Sequence, residues 1–285
     1  MKLLFLIFAA LISADIIGHC EAVDDTQISA TANVKSSSDS GKTTVGEAFN
    51  YYRIYYENGQ QFNPYYLSGA YFNLAQSYST QGNYPKALEY LQKALGLNPN
   101  NVDVYVGLAQ IHSTQGNYPK ALECLQKALG LNPNSADYYS RVAEIYSTQG
   151  NYPKALEYLQ KALGLNPNSA DYYSRVAEIY STQGNYPKAL ECLQKALGLN
   201  PNSADYYSRV AEIYSTQGNY PKALECLQKS AELNPANAMT FYTMGEVFLE
   251  MGEFPGVLKC IVILNQVNRK DLGGKLELFL KEINK

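Results

Sequence analysis

The chain has 285 residues, enough for roughly two domains at ~150 residues each. With 46% hydrophobic and 17% charged residues it is not a wholly disordered chain. Its net charge of −3, from 23 basic and 26 acidic side chains, excludes the broad positive field that grips nucleic acid or anionic lipid.

Residues 1–22 read as an export signal: Lys2, an apolar run from Leu3 to Ala14, then Cys20, Glu21 and Ala22 where a signal peptidase looks for small residues. Asp15 interrupts this pattern, so cleavage after Ala14 is the alternative. His19 is too bulky for the small residue that precedes a lipidated Cys, which argues against lipid on Cys20. The run is short for a bilayer, and an uncleaved anchor over residues 1–20 stays open as the second reading. No later apolar stretch has spanning length. Residues 23–43, rich in Ser, Thr and Asp, read as a polar tether. Over 44–67, Thr44 to Glu47 fits a capping box and Phe49, Tyr52 and Tyr56 form a stripe that Asn58 and Gly59 end. This is a capping helix or the second helix of a degenerate repeat.

From Ser68 onward the sequence has a period. Gly82, Gly116, Gly150, Gly184, Gly218 and Gly252 are each 34 residues apart, and Pro99, Pro133, Pro167, Pro201 and Pro235 keep the same step. Six units follow, 68–101, 102–135, 136–169, 170–203, 204–237 and 238–271. The third and fourth differ only at Tyr158 against Cys192, the mark of recent tandem duplication. Each unit reads as two helices. In the third, Tyr139, Val142, Ala143 and Tyr146 make one apolar stripe. Gly150 closes that helix, Asn151 caps the next and Pro153 sits in its first turn, where a missing N–H costs little. Ala155, Leu156, Leu159, Ala162 and Leu163 then give the buried face of the second helix, and so short a turn makes the two antiparallel.

The 34-residue helix–turn–helix unit, with Tyr139, Val142, Ala143, Tyr146, Gly150, Tyr152, Ala155, Leu159, Ala162 and Pro167 in place, resembles the tetratricopeptide repeat (TPR) family. The resemblance implies an all-α fold: a TPR superhelical solenoid of antiparallel helix pairs with a C-terminal capping helix. The sixth unit departs from the pattern, with Val257 in place of Ala and Arg269 in place of Pro, so its interior is expected to be looser or adapted to an unlike neighbour. That neighbour is residues 272–285, where Leu276, Phe279, Leu280 and Ile283 form the expected buried stripe of a solvating cap.

Chemistry finds little to work with. Beyond the leader the only histidine is His112, standing where siblings have Tyr146, Tyr180 and Tyr214. Its pairing with Cys124 as base and nucleophile lacks any motif-placed acid to orient the ring, so it reads as a packing residue. Cys124, Cys192, Cys226 and Cys260 share one repeat position. Stacked helices hold such positions ~10 Å apart, beyond the ~7 Å reach of a disulfide, so free thiols are expected. No catalytic residue, metal or cofactor is expected. None of the asparagines lies in an Asn-X-Ser/Thr sequon, which points weakly to a bacterial source.

Function then falls to the surface that stacking creates. The resemblance implies that the first helix of each unit lines a concave groove, which assigns Asp137, Ser140, Arg141, Glu144, Ser147 and Thr148 in the third unit. Their copies are Asp171, Ser174, Arg175, Glu178, Ser181, Thr182 and Asp205, Ser208, Arg209, Glu212, Ser215, Thr216. Two acids and one base per unit make the groove mildly acidic and rich in hydroxyls. Asp137 and Arg141, four apart, are expected to pair along the helix, as are their copies Asp171 with Arg175 and Asp205 with Arg209. Glu144, Glu178 and Glu212 would form a ladder for a protein or peptide partner that is basic or amide-rich. Phe72 and Gln76 stand where chaperone-binding members of the family carry the first Lys and Asn of a carboxylate clamp, so that clamp is missing. Gln110, and at the far end Tyr242 beside Met239 and Leu249, complete the expected groove. The whole reads as an exported interaction scaffold, with a membrane-tethered envelope assembly or secretion factor as the alternative. No nucleic acid partner is expected, and membrane contact only through an uncleaved N-terminus.

Overall fold

The computed structural model describes residues 64–283, which form thirteen α-helices and no strand. The export signal, the tether and nearly all of the front helix lie outside the described residues. Residues up to Leu131 and residues from Asn132 onward make two compact units. The first contains the hairpins α1 (Pro64–Thr80) with α2 (Tyr84–Leu97) and α3 (Val102–Thr114) with α4 (Tyr118–Leu131). In the second, α5 (Ala136–Thr148) pairs with α6 (Tyr152–Leu165), α7 (Ala170–Thr182) with α8 (Tyr186–Leu199), and α9 (Ala204–Thr216) with α10 (Tyr220–Leu233). There α11 (Ala238–Glu250) and α12 (Phe254–Gln266) are followed by a lone α13 (Lys270–Ile283).

The hairpin turn is built from backbone chemistry that the sequence supplies. Gly150 adopts φ 73°, a left-handed conformation costly for a side chain, and its N–H donates to the Ser147 carbonyl at 2.9 Å. The Asn151 N–H then reaches back to the Tyr146 carbonyl at 2.8 Å, satisfying the end of α5. The Asn151 side chain accepts from the Lys154 N–H and starts α6, with Pro153 in its first turn.

The first five hairpins bury their second helix through a repeated small–large–small row. Ala155, Leu159 and Ala162 are essentially inaccessible, as are Ala189, Leu193 and Ala196. Burying each leucine contributes roughly 1.5–3 kcal/mol. The core does not close within a hairpin. Ile179 of α7 packs with Leu159 of α6, and Ile213 of α9 with Leu193 of α8, so α7 and α9 are each buried along a second edge against the preceding repeat. Separately, in the first unit, Leu91 of α2 packs with Val104, Leu108 and Ile111 of α3 in the same manner.

The C-terminal end closes differently. Leu276 of α13 is fully buried and lies where a Cβ on Gly245 of α11 would come within 2.5 Å of its Cδ1. Repeats three to five have Ala143, Ala177 and Ala211 at that position, so Gly245 is what lets the cap approach. Val257 and Leu264 of α12 are also fully buried, which makes the sixth repeat adapted to its neighbour and not loose. The buried row of α13 is Leu272, Leu276 and the partly buried Leu280, one every fourth residue. The expectation for Phe279 needs correction. It is 45% exposed, because a row climbing by four leaves a residue three after Leu276 to one side. In place of the missing proline, Asn268 takes a left-handed φ of 61° and Arg269 grips Asp271 through two hydrogen bonds of 2.9 Å.

Candidate functional site

The first-helix faces of α5, α7 and α9 carry charge in a repeating arrangement. Within α5, Arg141 Nε donates to Asp137 Oδ2 at 2.9 Å, as expected from the four-residue spacing, and Arg209 Nε donates to Asp205 Oδ2 at 2.8 Å in α9. A second set of bonds joins successive repeats. Arg175 Nη1 of α7 donates to Glu144 Oε2 of α5 at 2.9 Å, and Arg209 Nη1 of α9 donates to Glu178 Oε2 of α7 at 2.9 Å. Each arginine follows its glutamate by 31 residues, one repeat less one helical turn. The expected acidic ladder is therefore already occupied at two of its three rungs. Along the helices the third, Glu212, has Thr243 at the corresponding place, and no basic group among the described residues pairs with it.

The expected pair of Asp171 with Arg175 in α7 is not formed; Arg175 reaches Glu144, and Asp171 is engaged by a tyrosine of the next repeat. The Tyr206 hydroxyl donates to Asp171 Oδ1 at 2.5 Å, and burial together with this bond keeps that phenol protonated far above its ordinary range. In the equivalent place Tyr172 is raised by burial and by the charge of Asp137. The Tyr206 bond engages one oxygen of Asp171 from the following repeat, while both Asp137 and Asp171 remain exposed.

The hydroxyls expected on the groove mostly point elsewhere. Ser140 is 3% exposed and Ser174 5%, which leaves them almost no surface for a ligand. Ser208 is partly buried, and its hydroxyl shares a hydrogen bond of 2.8 Å with Ser230, which continues to Thr240 at 3.1 Å. Thr148 is exposed, but its Oγ1 donates to the Glu144 carbonyl at 2.9 Å, and Thr182 and Thr216 repeat this with Glu178 and Glu212. Ser147 is half-buried beside it.

In the first unit, Phe72 packs partly buried against the core around Leu91, while Gln76 and Gln110 are exposed on α1 and α3. In the second unit, Tyr242 of α11 is half-buried and its hydroxyl bonds to Glu246. Met239, one turn before it, is 51% exposed. The helix α11 carries Glu246 and Glu250 and no base, so the balance of charge seen in α5, α7 and α9 stops there.

His112 and Cys124 do line one hollow of about 190 Å³, with Tyr105, Lys120, Glu123 and Lys127. Burial, and then the charge of Lys120, lower the imidazole, while burial and Glu123 raise the thiol. Both shifts work against the imidazolium–thiolate pair that an activated cysteine uses. The His112 Nδ1 is buried without a hydrogen-bond partner. Siblings at this place are tyrosines with a lysine over the ring, Lys154 at 5.0 Å from the Tyr146 centroid and Lys188 at 5.2 Å from that of Tyr180. Cys124, Cys192, Cys226 and Cys260 are free thiols, as the spacing argument requires, and burial pushes Cys260 up to about 11. Among the described residues no His, Cys, Asp and Glu group is placed to hold a metal ion. No helix among them is long and apolar enough to cross a membrane.

Comparison with known proteins agrees with this architecture. Family models described as tetratricopeptide repeat match residues 79–145, 134–202 and 168–236, together more than half of the chain. No curated protein sequence matches it significantly. Among solved structures, PilW, described as a widely conserved type IV pilus biogenesis factor, aligns with TM-score 0.61 at 20% identity, over 70% of this chain and 92% of its own. The pilF protein of Pseudomonas aeruginosa aligns with TM-score 0.60 at 21% identity, over 76% and 97%. The Cut9–Hcn1 hetero-tetramer of the APC/C aligns with TM-score 0.59 at 16% identity, over 81% of this chain and 45% of that one. At these identities the likeness is one of fold. The period, the Gly–Asn turn, the Ala–Leu–Ala burial and the matching family models lead to one conclusion: this chain belongs to the tetratricopeptide repeat family.

Proposed function

We propose that the chain is an exported protein-interaction scaffold that receives a protein or peptide segment along the first helices of its repeats. The observation that carries this reading is the row of charged side chains exposed at one repeat step on α5, α7 and α9: Asp137, Asp171 and Asp205 with Glu144, Glu178 and Glu212. Stacked repeats turn such a row into an extended binding surface. Six acids against Arg141, Arg175 and Arg209 leave it net acidic, which favours a basic or amide-rich partner. Export rests on Lys2, the apolar run Leu3–Ala14 and the small residues around Ala22.

A retention experiment on immobilised full chain, with cross-linking, tests the scaffold. Replacing Glu144, Glu178 and Glu212 together by Lys removes the bound partners, whereas replacing Glu157, Glu191 and Glu225 on the second helices leaves them. Identical partners in both cases would move recognition away from the first helices. Sequencing the N-terminus of the mature protein and fractionating it test export. An intact N-terminus in the membrane fraction would favour the second reading, a tethered envelope assembly factor with residues 1–20 as its anchor.

A further inference from the structure

The ladder between repeats contains a template and a gap. Arg175 Nη1 sits 2.9 Å from Glu144 Oε2, and Arg209 Nη1 sits 2.9 Å from Glu178 Oε2, both on exposed side chains. The molecule thus displays twice how a guanidinium rests on this glutamate position. Glu212 is the third copy, and Thr243 occupies the place from which its arginine would come. A threonine carries no charge and is several atoms too short. The nearby Arg209 is committed to Glu178 and Asp205.

The surroundings of the gap also differ from the filled rungs. At the filled rungs an acid stands one turn before the arginine, Asp205 taking the Nε of Arg209 and Asp171 preceding Arg175, whereas the matching residue of α11 is Met239, 51% exposed. A side chain entering beside Glu212 therefore meets one carboxylate and one flexible thioether. The next acid on this face, Glu246, accepts from Tyr242 and has no basic partner among the described residues.

We propose that the face between α9 and α11 anchors an arginine side chain of the partner, Glu212 taking its guanidinium as Glu144 and Glu178 take those of Arg175 and Arg209, with Met239 against its methylene stem. This rests on the scaffold reading and names the chemistry of its ligand. Arginine fits better than lysine because the template contact is made by a terminal Nη of a planar fork, whose Nε is left to serve a second acceptor as that of Arg209 does with Asp205. The state of the empty rung agrees: crowding lifts the Glu212 carboxyl above its ordinary range, Arg209 opposes the lift, and Asp205 and Glu178 add to it. A cation brought from outside offsets the repulsion from Asp205 and Glu178.

Fluorescence anisotropy of the full chain with two labelled peptides tests this, one carrying arginine between leucines and its twin carrying neutral citrulline. The arginine peptide is expected to bind about two- to fivefold tighter at low salt, the factor an exposed ion pair supplies. That preference disappears in Glu212→Gln and in Thr243→Arg, which fills the rung from within, and survives in Glu178→Gln. A Thr243→Arg chain that melts at or above the wild-type temperature verifies that its fold is intact. Equal binding of the twins, binding of neither, or a preference that persists in Thr243→Arg overturns the proposal. If the immobilised wild type and Thr243→Arg retain the same natural partners, the arginine rung fails while the scaffold stands. If the wild type retains none, the scaffold itself fails.

Discussion

The duplicated middle of the second unit, α5 to α10, and its end, α11 to α13, solve the same packing problem by different means. In the middle, identical hairpins meet, so one set of contacts serves every junction: Leu159 under Ile179, Leu193 under Ile213, and an arginine across each first-helix gap. At the end there is no further copy, and the chain changes residue types to suit an unlike neighbour. Gly245 replaces Ala so that Leu276 can descend, and Gly256 clears the ring of Phe248, whose atoms stand 2.6 Å from where its Cβ would be. The same change strips the last first helix of bases and leaves Glu212 without an arginine. Where copies touch, the array pairs its own charged groups from one repeat to the next, and that pairing stops where copying stops.

The largest effect is expected from removing residues 272–285. This uncovers Val257, Leu264 and the Gly245 face and deletes the burial of Leu272 and Leu276, roughly 1.5–3 kcal/mol for each leucine. The truncated chain should melt lower and self-associate, which sedimentation would detect; a monomer with unchanged melting would erase the distinction between end and middle. Next comes Gly245→Ala. Restoring the residue found in the middle should destabilise by about 1–3 kcal/mol, since the added Cβ displaces the fully buried Leu276 side chain. At the sibling position, Ala211→Gly costs only the helix penalty of about 1 kcal/mol plus a lost methyl contact.

Smaller still is the ion ladder. A double-mutant cycle on Glu144 and Arg175 should give a coupling of about 0.2–1 kcal/mol that shrinks as salt is added, because both side chains are largely exposed. The smallest effect sharpens the contrast at its edge. The raised Glu212 carboxyl favours the fold while protonated and loses that contribution as pH climbs through its folded value. Glu212→Gln should therefore stabilise the chain slightly at pH 7 and make no difference near pH 4. Glu144→Gln, which breaks a filled rung, should not stabilise at pH 7.

What was legible in the sequence was whatever depends on local spacing. Gly150 and Asn151 announce their turn because a left-handed residue and a cap are needed there, and Ala155, Leu159 and Ala162 reveal their face through helical period alone. The bonds between repeats were not legible, since a 31-residue offset pairs residues through the tilt of one hairpin on the next, which no helical period encodes. The burial of Ile179 against Leu159 of the preceding hairpin has the same origin: a first helix inside the array is covered on two edges, and a single apolar stripe reveals one. Phe279 misled because aromatic residues at i+3 usually join a stripe, whereas α13 uses a row of every fourth residue. Gly245 gave no signal, being an ordinary small residue until Leu276 is seen above it.

The most direct test of the account is site-specific photo-cross-linking of the full chain to its natural partners. A benzophenone side chain at Thr216, one turn beyond Glu212 on the exposed end of α9, is predicted to capture a partner. The same group at Glu191, on the exposed side of the second helix α8, is predicted to capture none. Capture from Glu191 with none from Thr216 would contradict recognition along the first helices.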